Sequence, residues 1–437
     1  MANKPTEKPA TPAYQALTKY LTFPTNDQEQ WWQRTGALLG RMLESTGYPV
    51  PQQYQYLTFF LKQVVPSLGP YPARFRSSVT VSGQPIELSV NYQQHGDTQP
   101  IVRIGCEALD SYSGTERDPF NQLPASAVIS NLSRLGLDGF DPQLFSYFSL
   151  RHTINPEEKA QLQGPLAGRV LIKSQHGFGF DLKDGNVLAK GYSFPGLKTI
   201  TSGQSMSALV TESITHIRPG KTDTDEPTCI DSWNMIDSYL AEVNGYSNVH
   251  LWSWDYVDPA KSRLKIYAAS TELSWRKLEE AWTLNRRAAH HPANAQGLQY
   301  LRQLWDFMQL GDAERVLPAD RPAHVKQNEP FLLWNYEMTP GEPIPIAKPY
   351  LSLHGVNDLA CVRNLARFFD IVGWKDLAGT YPDTVKAYYP EYDLETTSHL
   401  VMWVSFSYSE KKGVYLSVYY HSSADALVYY PGGDSKV

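Results

Sequence analysis

The feature that most limits how this chain can fold is a repeated order of elements. Strand-like runs come in five close pairs: 85–92 with 101–107, 177–182 with 187–194, 250–257 with 262–268, 331–338 with 347–353, and 400–408 with 414–421. Helical patterns lie between the pairs, over 27–46, 52–65, 124–135, 205–216, 230–243, 274–281, 294–309 and 358–372, with Asn26 as the expected N-cap of the first. Asp184-Gly185 is a strong two-residue hairpin signal, since both turn positions require positive φ. Hairpin-linked strands pair antiparallel. A sheet of about ten strands must cover or abolish its edges, and closure into a barrel abolishes them. The expected class is therefore α+β: a ten-stranded antiparallel β-barrel surrounded by helices, in helix–strand–strand–helix repeats.

Alternation along each run separates two faces. Arg263, Lys265 and Tyr267 oppose Leu264 and Ile266. Lys348, Tyr350 and Ser352 oppose Leu351 and Leu353, and Tyr415, Ser417 and Tyr419 oppose Val414, Leu416 and Val418. Helices need an apolar face to pack on, so the polar sets point into the lumen of a closed barrel. An open sheet with one wet face fits the same alternation. The recurrence of one cation beside one tyrosine in several separate strands favours the lumen.

Five cations are expected to converge there: Arg103, Lys190, Arg263, Lys265 and Lys348. Buried cations need counter-anions. The strands offer few carboxylates, chiefly Glu87 and Glu107, so a bound polyanion such as pyrophosphate would complete the balance. Tyr192, Tyr267, Tyr350, Tyr415 and Tyr419 share these faces. Their hydroxyls can donate to phosphate, and their rings can shield a carbocation at about 0.5–2 kcal/mol each. Glu87 stands alone in its strand and is suited to accept a hydrogen bond from an indole N–H.

Composition excludes other classes. The 437 residues carry a net charge of −6 and no basic run suited to nucleic acid. Cys106, Cys229 and Cys361 are widely spaced, which argues against a disulfide framework or a cysteine zinc site and for a cytoplasmic location. No apolar run approaches the roughly 20 residues that span a bilayer. Residues 1–13 and 423–437 are expected to be tails flanking one domain over 14–422. The acidic stretch at Asp223, Asp225 and Glu226 reads as a solvated loop, and no Walker A, HExxH or GxSxG motif occurs. Gly203-Gln204-Ser205-Met206-Ser207 lacks the closing glycine of the last of these.

From about residue 14 to about 422 the chain resembles the fungal indole prenyltransferases of the dimethylallyltryptophan synthase type. The resemblance rests on ordered segments that include QYQYL, LGPYP, PIELSVN, DLKDG, KSRLKIY, WNYEM, HGVND and YLSVYYH. It implies a prenyltransferase barrel with a polar, aromatic lumen. It also implies a dimethylallyl diphosphate co-substrate, no obligatory metal, and only small molecules as partners of a monomer or homodimer. The diphosphate-binding positions it implies are Arg103, Lys190, Tyr192, Arg263, Lys265, Tyr267, Lys348, Tyr350, Tyr415 and Tyr419. Lys348 stands where some members carry glutamine. Glu87 is the implied catalytic, indole-binding glutamate. Members that use free tryptophan carry a lysine and an arginine where this chain has Gly177 and His250. These two positions, with Glu87, form the implied acceptor site, and a tryptophan-containing cyclic dipeptide is the implied acceptor. Free tryptophan, tyrosine or another aromatic is the rival within the class, and a non-catalytic ligand-binding barrel is the rival outside it.

Overall fold

The computed structural model describes residues 11–80, 82–162, 172–217, 227–270, 272–308, 315–316, 332–353 and 355–421. The acidic stretch at 223–226 and the expected C-terminal tail lie outside the described residues.

Ten strands form one sheet: β1 (Ile86–Gln93), β2 (Ile101–Cys106), β3 (His176–Lys183), β4 (Asn186–Ser193), β5 (Val249–Asp255), β6 (Leu264–Ser270), β7 (Leu332–Met338), β8 (Ile346–Ser352), β9 (Val401–Ser409) and β10 (Gly413–His421). Each pairs antiparallel with the next, and β10 pairs with β1, so the sheet closes without an edge. Because strands are joined as hairpin pairs, all five hairpin turns gather at one end of the barrel. The helical connections join the other end. At the β3–β4 turn Asp184 and Gly185 both take positive φ, 53° and 76°, as the two-residue turn demands.

The outward faces explain why the sheet closes around polar side chains. Leu88, Val90, Val102, Ile104, Phe180, Trp252, Trp254, Ile266, Trp334, Tyr336, Phe406, Leu416 and Val418 all belong to one buried apolar cluster with the surrounding helices. The helices thus consume the apolar face, and the remaining face has only the lumen to occupy. Between β8 and β9 the ladder is confined to Tyr350–Ser352 against Trp403–Ser405. Pro349 has no N–H to donate, and the hairpin-end halves of these two strands are not paired. The barrel wall has a seam there.

Several elements differ from the sequence expectation. The helix cap near residue 26 is Thr25, whose hydroxyl accepts from the Gln28 N–H at 3.2 Å, and Asn26 is the first helical residue. A helix over Pro12–Tyr20, capped by Thr11, places Ala13 and Tyr14 in the core, so the chain packs on the domain ahead of residue 14. Helices over Gln143–His152 and Lys375–Tyr388 also escaped the pattern. Ser205 caps the helix Met206–Thr215 by accepting from Ala208 N–H, a structural role for the incomplete serine motif. None of the helices in the described residues is long and apolar enough to cross a membrane.

On the outer face of β4, a Cβ at Gly191 would lie 2.3 Å from the Trp254 ring. Gly191→Ala is therefore expected to destabilise the protein by about 1–3 kcal/mol through overpacking, read as a lowered midpoint in thermal or urea unfolding.

Candidate active site

The strand registers stack the lumen into layers. At the hairpin end, Arg103 pairs across the sheet with Asp181, Lys190 with Asp255, and Lys265 with Glu337. Arg103 Nε lies 3.1 Å from Asp181, and Lys190 forms an ion pair with the same carboxylate. Arg263 reaches Asp255 at 2.7 Å and Glu337 at 3.1 Å, and Lys265 reaches Glu337 at 3.1 Å. Arg103, Lys190, Arg263, Lys265, Lys348, Lys412 and Tyr415 line one cavity, which meets the seam at Ile346, Ser407 and Ser409.

This corrects two expectations. The cations are not short of carboxylates, since Asp181, Asp255 and Glu337 face the lumen between them. Glu107 is not in the lumen: it follows the end of β2 and accepts hydrogen bonds from Ser77, Ser174 and Asn121 in a separate buried network. Burial acts to raise the pKa of Asp181, but Arg103 and Lys190 outweigh it and hold the carboxyl well below its usual range. Burial opposes ionisation of Glu337 likewise, and Lys265 and Arg263 reverse the balance. Six cations against three carboxylates still leave an excess of positive charge when all are ionised. The chamber suits a polyanion, since its own carboxylates only partly neutralise it. Lys412, on the turn between β9 and β10, was missed because a turn lysine normally points to solvent.

A tyrosine belt lies one layer deeper. Among the expected tyrosines only Tyr415 lines the cationic cavity, where the Arg103 guanidinium donates to its hydroxyl. Tyr267 and Tyr350 have ring centroids 6.1 Å apart, and Tyr350 and Tyr419 5.8 Å apart. Asn335 donates to the Tyr350 hydroxyl at 3.0 Å. Tyr192 lies across Gly179, where a Cβ would come within 3.1 Å of its hydroxyl. The rings therefore stand between the cationic chamber and the helix end, rather than all around the chamber.

At the helix end the register brings Glu87 opposite His421 and Gly105, Gly177 opposite Tyr192, Leu251 opposite Tyr267, Leu333 opposite Tyr350, and Trp403 opposite Tyr419. His250 lies in β5 beside a bulge, and its side chain is outside the described residues. Glu87 rests against Gly105, where a Cβ would sit 3.1 Å from its side chain. Burial pushes the Glu87 carboxyl up to about 8. No cation faces the lumen beside it among the described residues, so this end suits a neutral, flat, aromatic guest with one N–H to donate.

One lumen thus joins a polyanion chamber, a belt of π-faces and a lone hydrogen-bond acceptor. Such a site defines an enzyme that parts an anionic leaving group from a carbocation and delivers the cation to an electron-rich ring. The chain belongs to the tryptophan dimethylallyltransferase family, whose model matches residues 27–384, and is an aromatic prenyltransferase of the indole type. It is 49% identical to tryptophan dimethylallyltransferase nptA of Emericella nidulans, over 93% of each chain. It is 41% identical to deoxybrevianamide E synthase of Aspergillus versicolor, over 98% of this chain and 97% of that one. The structure matches that of NotF in complex with brevianamide F and DMSPP with a TM-score of 0.83 and 39% identity, over 95% of this chain and 99% of the other. A more distant match, 5-dimethylallyl tryptophan synthase of Streptomyces coelicolor, shares the fold with a TM-score of 0.61 at 16% identity, over 93% of this chain and 98% of that one.

The raised pKa of Glu87 has a stability consequence. The folded protein holds this proton up to about pH 8, whereas an unfolded glutamate loses it near 4.5, so folding stability falls as pH rises between these values. Glu87→Gln is expected to melt at a higher temperature than the parent at pH 9, by a few degrees, and to lose that advantage at pH 5 in differential scanning fluorimetry.

Proposed function

We propose that this enzyme transfers a dimethylallyl group from dimethylallyl diphosphate to the indole ring of a tryptophan-containing cyclic dipeptide. The observation that carries this reading is the two-ended lumen, cationic at the hairpin end and neutral around Glu87 at the helix end. Arg103, Lys190, Arg263, Lys265 and Lys348, with Tyr415, would hold the diphosphate. The allylic C–O bond breaks with its electron pair going to the diphosphate oxygen, where the cationic shell stabilises the developing charge. Tyr192, Tyr267, Tyr350 and Tyr419 face the resulting allyl cation with their π-faces and keep water away. Glu87 accepts the indole N–H, raises electron density on the ring and fixes its angle, so proximity selects the carbon that attacks. The ring carbon forms the new C–C bond, and the proton it loses passes to a base at the helix end, Glu87 or water.

The three carboxylates of the cationic chamber are engaged by arginine and lysine, which supports a reaction run without an obligatory metal. The three cysteines are buried and far apart in sequence, which supports a cytoplasmic setting. The NotF complex, with brevianamide F and DMSPP, supports the pairing of a cyclic dipeptide with this donor. The name of nptA favours a second reading, free tryptophan as acceptor. Gly177 argues against it, because it offers no side chain to act as a base.

Purified enzyme with dimethylallyl diphosphate, EDTA and a panel of free tryptophan, tyrosine and tryptophan-containing cyclic dipeptides is expected to yield products heavier by one C5H8 unit, by mass spectrometry, with the cyclic dipeptides. Product from free tryptophan alone would establish the second reading. Glu87→Gln is expected to lower turnover roughly 100-fold while the fold persists, and Lys265→Ala to raise the KM for the donor about tenfold or more. For the parent enzyme, kcat/KM for the acceptor should climb towards a plateau above about pH 8 as Glu87 ionises, and the climb should be absent in Glu87→Gln.

A further inference from the structure

The cations of the chamber fall into two groups. Arg103, Lys190, Arg263 and Lys265 each touch a carboxylate. Lys348 and Lys412 touch none among the described residues. Both ammonium groups instead lie against the ring of Tyr415, 4.4 and 4.8 Å from its centroid, with the Arg103 guanidinium 5.5 Å from the same centroid. Three cationic groups therefore crowd one neutral ring at the seam between β8 and β9.

We propose that Lys412, carried on the β9–β10 turn, is a further donor-binding residue, and that it and Lys348 take up a proton between them as the donor's diphosphate enters. The proposal rests on the donor reading given above.

The charged groups around the pair leave no other route to neutrality. Facing Lys348 are Arg103 from β2, Lys265 from β6, Glu337 from β7 and Lys412 from the turn. Facing Lys412 are Glu337, Arg263, Arg103 and Lys265. Glu337 is the one carboxylate on both sides, and it is already shared by Arg263 and Lys265. Lys348, enclosed, and Lys412, half-buried, repel each other, have no ion pair among the described residues, and hold their protons weakly. Burial first, and then Arg103 and Lys265, push the Lys348 pKa well below that of an ordinary lysine. Burial lowers Lys412 as well, against the opposing pull of Glu337. An entering diphosphate supplies the missing counter-charge and reverses both effects, so binding draws protons from solvent. An arginine at either place would stay charged throughout and show no such response.

The test is calorimetric titration of the enzyme with DMSPP at pH 8, in two buffers of different ionisation enthalpy. The parent is expected to show a buffer-dependent enthalpy that corresponds to uptake of a sizeable fraction of a proton. Lys412→Met should weaken DMSPP binding about tenfold and reduce the uptake. Burial also lowers Lys190 to about 8, so the double variant Lys348→Arg with Lys412→Arg should bind DMSPP with affinity near the parent's but with clearly less proton uptake, the remainder coming from Lys190, which a merely structural role for these lysines would not produce. Parent binding with the same enthalpy in both buffers, or a Lys412→Met variant that binds as the parent does, overturns the proposal and leaves the donor reading intact. A parent that binds no DMSPP at all overturns both.

Discussion

Everything in this molecule depends on keeping like charges together inside a closed wall. Helices occupy the apolar face of the sheet, so closure forces the polar face inward, and that face, with Arg263 just ahead of β6 and Lys412 on a turn, gathers six cations in one chamber. Such a cluster survives only because Asp181, Asp255 and Glu337 come between its members. Removing one of those carboxylates would leave a buried cation uncompensated, at several kcal/mol. The balance is deliberately incomplete. A fully neutral chamber would have little affinity for a diphosphate, and an unopposed one would strain the fold.

Between the chamber and Glu87 stand the rings of Tyr267, Tyr350 and Tyr419. The strands hold both ends on one hydrogen-bonded wall, so the spacing between the cationic chamber and Glu87 is set by strand register. Reaction geometry of this kind depends on shifts of about 1 Å. Registers fix side chains to a similar tolerance, because a slip of one residue would exchange the lumen face for the helix-facing one.

The strands were legible because each obeys a two-residue alternation, and the β3–β4 turn because Asp184-Gly185 announces itself. The inward cations and tyrosines followed from that alternation alone. The same alternation turns Asp181, Asp255 and Glu337 inward but does not say which cation each meets. Asp181, Asp255 and Glu337 sit on strands neighbouring those of Arg103, Lys190 and Lys265, and only the cross-strand register shows the pairing. The helix Lys375–Tyr388 was hidden by Pro382 in its interior, a local signal overridden by burial of Tyr381, Val385 and Tyr388. Gln143–His152 was hidden by aromatic residues that on their own favour strands. Lys412 went unread because its role arises from where a turn folds back, not from any pattern around it.

Gly105 and Gly179 face each other across β2 and β3, one beneath Glu87 and the other beneath Tyr192. Their contribution is an absence. A single methyl at either place would press on the facing side chain, 3.1 Å away, and require it to give by a few tenths of an ångström. These glycines and the groups they accommodate cannot drift independently over evolutionary time, since a change at one is felt first as a misplacement of its partner. The shape of the helix end of the lumen is therefore set by pairs of positions, and reshaping it calls for exchanging a glycine and its neighbour together.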